Sequence, residues 1–272
     1  MATDICITTY RNTKKLEKCL ASVLEKTKFA DYKILLWCND PNDEVKKIVH
    51  DSMFVDGVRF TDRIEPIFND NNDGSFAFNN NAVAKEGSAE YILFLNDDVS
   101  PINDGWLHNM QKILDTDEKV GVVGSLLLYP DNTIQHCGVF FSHRTNNLPY
   151  HMNHKQPFEN VKNFVSLPRY YQAVTAACML VRRKDFEAVG GFCEDYKYSF
   201  EDIDLCLKIK NQLYKNCVFC PDAKLTHDEG ISKTQPHLEH NIAAFKKNCT
   251  GKYYNDLEFY SNNQRHLVYK YK

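Results

Sequence analysis

Two adjacent carboxylates, Asp97 and Asp98, come directly after the apolar, strand-favouring run 91–95. Neighbouring carboxylates repel each other unless a cation or a hydrogen-bond donor neutralises them. Hard divalent cations take oxygen ligands, and Mg²⁺ typically uses one or two carboxylates together with substrate phosphates. With Asn96 before them, the two carboxylates therefore indicate a metal–diphosphate site. The structural alternative is a turn, because Asn and Asp are common turn residues.

A second acidic pair, Glu201-Asp202, lies at the start of a helix predicted over 200–213. The functional interpretation is that one of the two carboxylates is a general base. The structural interpretation is favoured when the pair is taken alone. Ser199, with Asp202 three positions later, has the spacing of a helix cap, and acidic residues are favourable at helix N-termini.

Polar residues follow three of the predicted strands at the points where they end. They are Thr-Thr-Tyr-Arg-Asn at 8–12, Asn-Asp at 39–40, and the Asn-Asp-Asp of 96–98. Ligands of open parallel sheets bind beyond the carboxyl ends of the strands, so we expect these ends to converge on one edge. His227, after a strand predicted over 218–225, is a further candidate metal ligand, although an isolated histidine is more often structural.

The elements that must position these residues alternate in the first hundred residues. Strands are predicted at 5–10, 32–38 and 91–95, and helices at 13–26, 42–50 and 77–86. This alternation, with strands that are continuously apolar, predicts an α/β fold with a parallel sheet between helix layers. The second half is less regular, with strands predicted at 120–128 and 133–141, a long polar excursion over 142–170 and a last helix over 236–247.

Composition and charge argue against several classes of protein. The 272 residues carry 33 Lys+Arg against 36 Asp+Glu, a net charge of −3 that gives no support for a nucleic-acid partner. We find neither the long apolar run of a membrane span nor a secretory signal, which predicts a cytoplasmic protein with its ten cysteines reduced. The lone Cys-x-x-Cys at 217–220 indicates part of a strand more than a metal or redox site. The absence of a Gly-x-Gly-x-x-Gly after the first strand argues against a dinucleotide oxidoreductase.

Read together, these segments resemble the inverting glycosyltransferases of glycosyltransferase family 2, over most of the chain from Asp4 to about Ser232. The run 5–24 resembles the family's opening strand, turn and helix, and the run 78–99 resembles its Arg-Asn-x-Gly helix followed by the Asp-x-Asp strand. The run 170–210 is similar to its Gly-Gly-Phe turn and Glu-Asp-x-Asp-Leu helix, which is the most specific match. His227, Gly230 and Ser232 fit the late His-x-x-Gly-x-Ser, and 121–141 resembles a rhamnosyltransferase-like subgroup.

The resemblance implies a fold and a reaction. The fold is GT-A, with a mostly parallel central sheet flanked by helices and a Rossmann-like nucleotide-binding half. It predicts one domain over 1–272, divided into a nucleotide-binding half (1–100), an acceptor-binding half (101–235) and a C-terminal helix and tail (236–272). The reaction is inverting transfer of a sugar from a UDP- or dTDP-linked donor to a hydroxyl of a glycan or lipid-linked acceptor, with Mn²⁺ or Mg²⁺, in polysaccharide biosynthesis.

The resemblance also assigns roles to individual residues. Asp98 and His227 would hold the divalent cation, and Asp202 would be the general base with Glu201 beside it. Asp40 would accept a hydrogen bond from the N3–H of a pyrimidine base. The complete predicted donor-binding set is Thr9, Tyr10, Arg11, Asp40, Asn81, Asn96 and Asp97. Asn96 departs from the family's first Asp and Asn80 from its Arg.

Two other classes of protein stay open at this point. A sugar nucleotidyltransferase would also use a metal and a nucleotide, but that class usually has a glycine-rich N-terminal loop, and residues 8–12 contain no glycine. A catalytically silent nucleotide-sugar or glycan-binding module would be expected to have lost part of its acidic set, whereas Asp98, Asp202 and His227 are all present.

The tail, residues 252–272, alternates aromatic and basic side chains. One interpretation is peripheral contact with an anionic membrane that carries lipid-linked acceptors, which would make the protein membrane-associated. The favoured interpretation is a docked C-terminal helix or a homodimer contact.

Overall fold

The structure is a computed structural model and describes residues 2–28, 30–52, 54–55, 58–59, 63–70, 74–229, 237–261 and 268–270. Within these ranges, no helix combines the length and the apolar character needed to cross a bilayer. Gly230, Ser232 and Pro236, which belong to two of the predicted features, lie outside the described residues.

The strands and helices have the following bounds. The strands are β1 (Thr3–Thr9), β2 (Tyr32–Asn39), β3 (Phe54–Val55), β4 (Val58–Arg59), β5 (Ile64–Asn69), β6 (Tyr91–Asn96), β7 (Val99–Pro101), β8 (Val120–Leu128), β9 (Ile134–His136), β10 (Val139–Phe141), β11 (Pro149–His151), β12 (Arg169–Tyr171), β13 (Cys178–Arg182) and β14 (Asn216–His227). The helices are α1 (Thr13–Lys26), α2 (Asp43–Ser52), α3 (Phe76–Lys85), α4 (Trp106–Thr116), α5 (Phe158–Val165), α6 (Arg183–Ala188), α7 (Glu201–Leu213), α8 (Leu238–Cys249) and α9 (Leu257–Ser261), with a 3₁₀ turn at His143–Thr145.

A large central sheet has the strand order β12-β14-β8-β13-β6-β1-β2-β5. Along this order the strands run in the same direction, except β12 and β13, which are antiparallel to their neighbours. The short strand β7 pairs with the end of β14, and β9 pairs with β8. The predicted α/β fold with a mostly parallel sheet is therefore confirmed.

Both faces of the sheet are covered by helices, which explains why its strands are continuously apolar. Successive residues of β1 alternate between two hydrophobic clusters. Ile5 and Ile7 pack in the cluster that contains Leu20 of α1, and Cys6 packs in the cluster that contains Phe94 of β6. Each fully buried side chain of this size contributes roughly 1.5–3 kcal/mol of burial free energy. Packing on both faces of the sheet consequently fixes the positions of the ends of its strands.

Two predictions of local structure are wrong. The strand predicted over 133–141 is two strands, β9 and β10, because Gly138 between them has φ of +117° and a side chain there would collide with the ring of Tyr171. The excursion over 142–170 is not a simple loop, because it contains β11, α5 and most of β12. Apolar side chains at 158, 161, 164 and 165 have helical spacing and join a third cluster, so the signal for α5 was present in the sequence.

The described part of the tail packs against the body of the protein. Asp256 is buried, and its carboxylate accepts hydrogen bonds from the backbone N–H of Phe141 at 2.8 Å and from the side chain of Gln172 at 2.7 Å. Tyr260 and Tyr269 are buried as well. These contacts support a docked C-terminal segment, the favoured interpretation of the tail.

Candidate active site

The predicted convergence of strand ends is seen where β1 meets β6. Thr9, at the end of β1, donates a hydrogen bond of 2.6 Å to Oδ2 of Asp97, and the Asn12 amide donates one of 3.2 Å to its Oδ1. Burial raises the pKa of Asp97 to about 6, although the bond from Thr9 opposes the increase. Both oxygens of Asp97 are thus engaged in joining the β1–α1 turn to the end of β6.

Asp98 and His227 are brought together by the pairing of β7 with β14. Val99 lies opposite His227 in this antiparallel pair, and the backbone N–H of Asp228 donates to the Asp98 carbonyl at 2.9 Å. The Nε2 atom of His227 is 3.2 Å from Oδ1 of Asp98. The two predicted metal ligands therefore lie side by side at the carboxyl ends of β6 and β14.

Lys15 completes the surroundings of Asp98. Its ammonium is 3.4 Å from Oδ2 of Asp98 and also donates to the backbone carbonyl of Asp228. Burial alone would raise the pKa of Asp98, but the His227 hydrogen bond and the charges of His227 and Lys15 outweigh it, so the pKa is lowered. Asp98 is therefore ionised at neutral pH.

The residues at this point fit a divalent cation. An ionised carboxylate and an imidazole are both ordinary ligands of Mn²⁺-type ions. His227 is only 5% exposed, and its Nδ1 atom has no hydrogen-bond partner among the residues that the structure describes. No group of three or more His, Cys, Asp or Glu side chains in the described ranges is arranged to hold an ion. Asp98 and His227 would therefore need further ligands, such as the phosphates of a bound substrate.

The start of α7 is built differently from the prediction. Ser199 does not cap the helix: the N-cap is Phe200, no side chain caps it, and both residues have left-handed backbone with φ of 87° and 74°. Such angles are outliers for a bulky residue and persist only where the surroundings impose them. Phe200 packs on Phe245 of α8, with ring centroids 5.3 Å apart, and this contact holds the segment in place.

Asp202 is tied to the end of β6 through the start of β13. Its Oδ2 accepts from the N–H of Ala176 at 3.1 Å and its Oδ1 from the N–H of Ile203 at 2.8 Å. The next residue, Ala177, accepts a hydrogen bond of 3.0 Å from the N–H of Asn96. One short piece of chain, 176–177, therefore links the predicted base to the predicted metal–diphosphate segment.

The two carboxyl groups of the pair differ in access and in charge. Glu201 is 6% exposed, and within the described part of the chain its Oε2 atom has no hydrogen-bond partner, whereas Asp202 is partly exposed. Burial, and then the charge of Asp202, raise the pKa of Glu201 to about 8. Burial also raises the pKa of Asp202, against the bonds from Ala176 and Ile203 that stabilise its charge. Glu201 therefore holds a proton at neutral pH, and Asp202 is the partner that can accept one.

The protonation of Glu201 predicts a pH-dependent stability. The unfolded chain releases this proton near the ordinary pKa of 4.5 and the folded chain keeps it to about 8, so stability falls as pH rises between these values, by roughly 1.4 kcal/mol per pH unit at most. Glu201→Gln removes this loss. We expect the variant to match the wild type at pH 4.5 and to melt on the order of 10 °C higher at pH 8 in thermal scans. Equal melting temperatures at pH 8 would contradict the assignment, and Glu118→Gln, at an exposed position, is the control.

The end of β2 brings a further part of the donor-binding set close to β1. The guanidinium of Arg11 is 2.5 Å from Oδ2 of Asp40, and the two residues have left-handed backbone with φ of 52° and 45°. Arg11 also lies over the exposed ring of Tyr10, 5.5 Å from its centroid. The predicted base-binding residues therefore lie together at the adjacent ends of β1 and β2.

Asn81 and Asn96 are engaged differently from the rest of the predicted set. The Asn81 side chain holds the Gly-Gly-Phe turn, donating to the carbonyl of Phe192 at 2.9 Å and accepting from its N–H at 2.9 Å. The backbone carbonyl of Asn96 accepts from the Cys19 thiol at 3.6 Å, while its side chain is partly exposed. Asn81 thus positions a turn rather than joining the cluster around Asp98.

Sequence reasoning missed Lys15, and it placed Asn12 among the polar residues at the end of the first strand without giving it a role of its own. A lysine in the first turn of a helix opposes the helix dipole, and α1 has no acidic residue there. Asn12 is the N-cap residue, yet its side chain makes no cap, because it bonds to Asp97. Both side chains are unfavourable for the helix that carries them, and both point towards the end of β6. This combination indicates that the edge of the sheet at this point is functional.

The sequence model described as Glycosyl transferase family 2 matches residues 4–190. The chain is 31% identical over 248 residues to the uncharacterized protein y4gI of Sinorhizobium fredii (strain NBRC 101917 / NGR234), covering 90% of this chain and 26% of that protein. It is 33% identical over 160 residues to the O-antigen biosynthesis protein RfbC of Myxococcus xanthus, covering 57% of this chain and 12% of that protein. The chain spans about a quarter or less of the length of these relatives.

Two solved structures of glycosyltransferases share the fold of this chain. A crystal structure of GalNAc-T7 with UDP, GalNAc and Mn²⁺ matches with a TM-score of 0.72 and 12% identity, over 92% of this chain and 48% of that one. The mannosyltransferase PcManGT from Pyrobaculum calidifontis, in complex with GDP-Man and Mn²⁺, matches with a TM-score of 0.59 and 16% identity, over 87% of this chain and 59% of that one. These likenesses confirm the predicted GT-A fold. With the family model matched over residues 4–190, the chain belongs to glycosyl transferase family 2.

Proposed function

We propose that this chain transfers a sugar, with inversion, from a pyrimidine nucleoside-diphosphate donor to a hydroxyl of a glycan or lipid-linked acceptor. The observation that carries the proposal is the convergence of an ionised Asp98, its neighbour His227 and the partly exposed Asp202 at one edge of the sheet. Family membership and the metal–nucleotide complexes of the structural neighbours support it. The O-antigen name of one relative supports a place in polysaccharide assembly.

Each group has a distinct task in this mechanism. Asp98 and His227 would hold a divalent cation, Mn²⁺ or Mg²⁺, which would supply the positive charge that stabilises the departing diphosphate. Lys15, beside Asp98, adds a second positive charge. Asp202 accepts the proton of the acceptor hydroxyl as that oxygen attacks the anomeric carbon from the face opposite the diphosphate, which inverts the configuration. One base is sufficient, because no covalent intermediate forms.

The donor is held by residues at the ends of β1 and β2. Asp40 accepts a hydrogen bond from the N3–H of the base through one carboxylate oxygen. Its other oxygen, Oδ2, is paired with the guanidinium of Arg11. The 2.6 Å hydrogen bond between Thr9 and Asp97 fixes the β1–α1 turn to the end of β6. This arrangement favours uridine or thymidine diphosphates.

Calorimetric titration of UDP, dTDP and GDP, each with and without Mn²⁺, tests the proposal. We expect one pyrimidine diphosphate to bind, and to bind only with Mn²⁺ present. Binding of GDP alone would contradict the pyrimidine preference but not the metal site. No binding of any nucleotide with metal would contradict the transferase function and favour a silent module. Release of pyrophosphate from a nucleoside triphosphate in the presence of a sugar 1-phosphate would instead indicate a nucleotidyltransferase.

A further inference from the structure

His136 is a fully buried imidazole with no role in the predicted metal site or donor-binding set. It is the last residue of β9, its side chain is 0% exposed, and both of its ring nitrogens have partners. Nε2 accepts a hydrogen bond of 3.5 Å from the backbone N–H of Thr175, and Nδ1 is 2.8 Å from Nδ1 of His151 in β11. The two imidazole rings meet edge-on, with centroids 5.0 Å apart. A buried ring with both nitrogens engaged is held in one orientation.

The two contacts determine where the ring protons are. A backbone N–H only donates, so Nε2 of His136 is the unprotonated nitrogen of a neutral ring. Burial, and then the charges of His151 and His227, lower the pKa of His136 well below its usual range. Burial also lowers the pKa of His151 to about 4, so both rings are neutral at pH 7. Nδ1 of His136 therefore carries the proton and donates to Nδ1 of His151, whose own proton is on Nε2.

The N–H that His136 accepts belongs to the segment that holds the proposed base. Residues 172–177 join β12 to β13 and belong to neither strand. In this segment the N–H of Ala176 donates to Oδ2 of Asp202 at 3.1 Å, and a hydrogen bond from the Thr175 side chain also favours the charged form of Asp202. The Thr175 hydroxyl in turn accepts from the N–H of Ala177 at 3.4 Å. Two of the donors to Asp202 thus belong to residues 175 and 176.

The orientation of these donors depends on the acceptor that His136 supplies. Thr175 and Ala176 are consecutive, so a rotation of the backbone at 175 moves the hydroxyl of one and the N–H of the other. An N–H left without a partner in a protein interior is costly, and the backbone would turn to find another acceptor. The tautomer matters for the same reason, because a ring with its proton on Nε2 would set one N–H against another.

We propose that His136 is a positioning residue of the transfer reaction, which holds the backbone of Thr175 and Ala176 so that both donors stay on Asp202. His151 keeps the ring in the tautomer that can do this. The proposal rests on the proposed function, in which Asp202 is the base. Because His136 is neutral, it acts on Asp202 through geometry and not through its own charge.

Nitrogen-15 NMR of the full chain tests the tautomers first. Long-range spectra that correlate ring carbon-bound protons with ring nitrogens show which nitrogen of each imidazole carries a proton. We expect Nδ1–H for His136 and Nε2–H for His151 at pH 7. A proton on Nε2 of His136 would overturn the proposal, because that nitrogen could not accept from Thr175.

The second test removes the acceptor with His136→Leu, which keeps a side chain of similar size. Carboxyl ¹³C NMR follows the ionisation of Asp202 in the Glu201→Gln background, where the neighbouring carboxyl group no longer titrates. The buried thiol of Cys206 also interacts with Asp202, but its pKa is raised well above the usual range. We expect the midpoint for Asp202 to move up by roughly one pH unit, the scale of one hydrogen bond to a charged group. His136→Gln, whose amide oxygen can replace Nε2 as the acceptor, should restore most of the difference.

His108→Leu is the matched control, because His108 is exposed on α4, and it should leave the midpoint unchanged. An unchanged midpoint in His136→Leu, or equal midpoints in His136→Leu and His136→Gln, would overturn the proposal. Thermal scans show whether each variant folds. If His136→Leu does not, His151→Leu takes its place, since it frees His136 to move its proton to Nε2. It should raise the midpoint, and an unchanged value would be equally decisive against the proposal.

Calorimetric titration of UDP and dTDP with Mn²⁺ separates this proposal from the proposed function. The variants at 136 should bind nucleotide as the wild type does, because the donor residues lie at the ends of β1 and β2. Absence of nucleotide binding in the wild type would contradict the proposed function, whatever the midpoint for Asp202. Normal nucleotide binding with an unchanged midpoint in His136→Leu would contradict the role of His136 alone.

Discussion

Replacing Asp202 by asparagine is expected to lower kcat by roughly 10²- to 10⁴-fold, the usual span for loss of a general base. The asparagine can still accept one backbone N–H, from Ala176 or Ile203, but it cannot take a proton from the acceptor. Donor affinity should hardly change, because the donor residues lie at the ends of β1 and β2. The measurement is turnover with saturating donor and metal, beside a calorimetric titration of the nucleotide.

Glu201→Gln is the matched control for this experiment. Glu201 already holds a proton at neutral pH, so an uncharged amide of the same shape should leave turnover within a few-fold of the wild type. Full activity of Asp202→Asn would show that the base has been assigned to the wrong residue. A large loss in Glu201→Gln with normal Asp202→Asn turnover would move the role to the neighbouring carboxyl group.

The second large effect is expected for Asp98→Ala. The variant removes the ionised carboxylate that lies 3.2 Å from Nε2 of His227 and 3.4 Å from the ammonium of Lys15. We expect Mn²⁺-dependent nucleotide binding to weaken by at least roughly 10- to 100-fold, since loss of even a supporting residue at a metal site costs that much. Titration of the nucleotide over a series of Mn²⁺ concentrations measures the effect.

Two further variants separate metal binding from folding. Asp98→Asn keeps the size of the side chain but not its charge, so it should also lose the dependence on Mn²⁺. Asp104→Ala removes an aspartate whose side chain is 78% exposed and should behave as the wild type. Unchanged Mn²⁺ dependence in both Asp98 variants would exclude this residue as a ligand.

A helix or strand was predictable from the sequence where the spacing of its own apolar residues specifies it. The bounds of α1 and β8 follow from apolar spacing and agree with the structure at both ends. The convergence of Thr9, Asp97 and Asp98 followed from a general property of parallel sheets rather than from local pattern. Their chemical roles stay predictions.

What the sequence could not show depends on contacts between distant parts of the chain. Ser199 has the spacing of a helix cap, but its backbone and that of Phe200 are left-handed, and it does not cap α7. The segment around these two residues is held by Asn241 and Phe245 of α8. The break between β9 and β10 depends on the ring of Tyr171, which closes over Gly138.

Strand β14 is the last strand of the sheet in chain order, yet it lies inside the sheet between β8 and β12. During synthesis the edge of β8 stays unpaired until this strand has emerged, and an open apolar edge is prone to pair with other chains. His227 is the final residue of β14, so the pair with Asp98 forms only when the edge is closed. Cation and donor would consequently bind the completed fold alone, and by mass action they would protect the chain from the aggregation that its own assembly order invites.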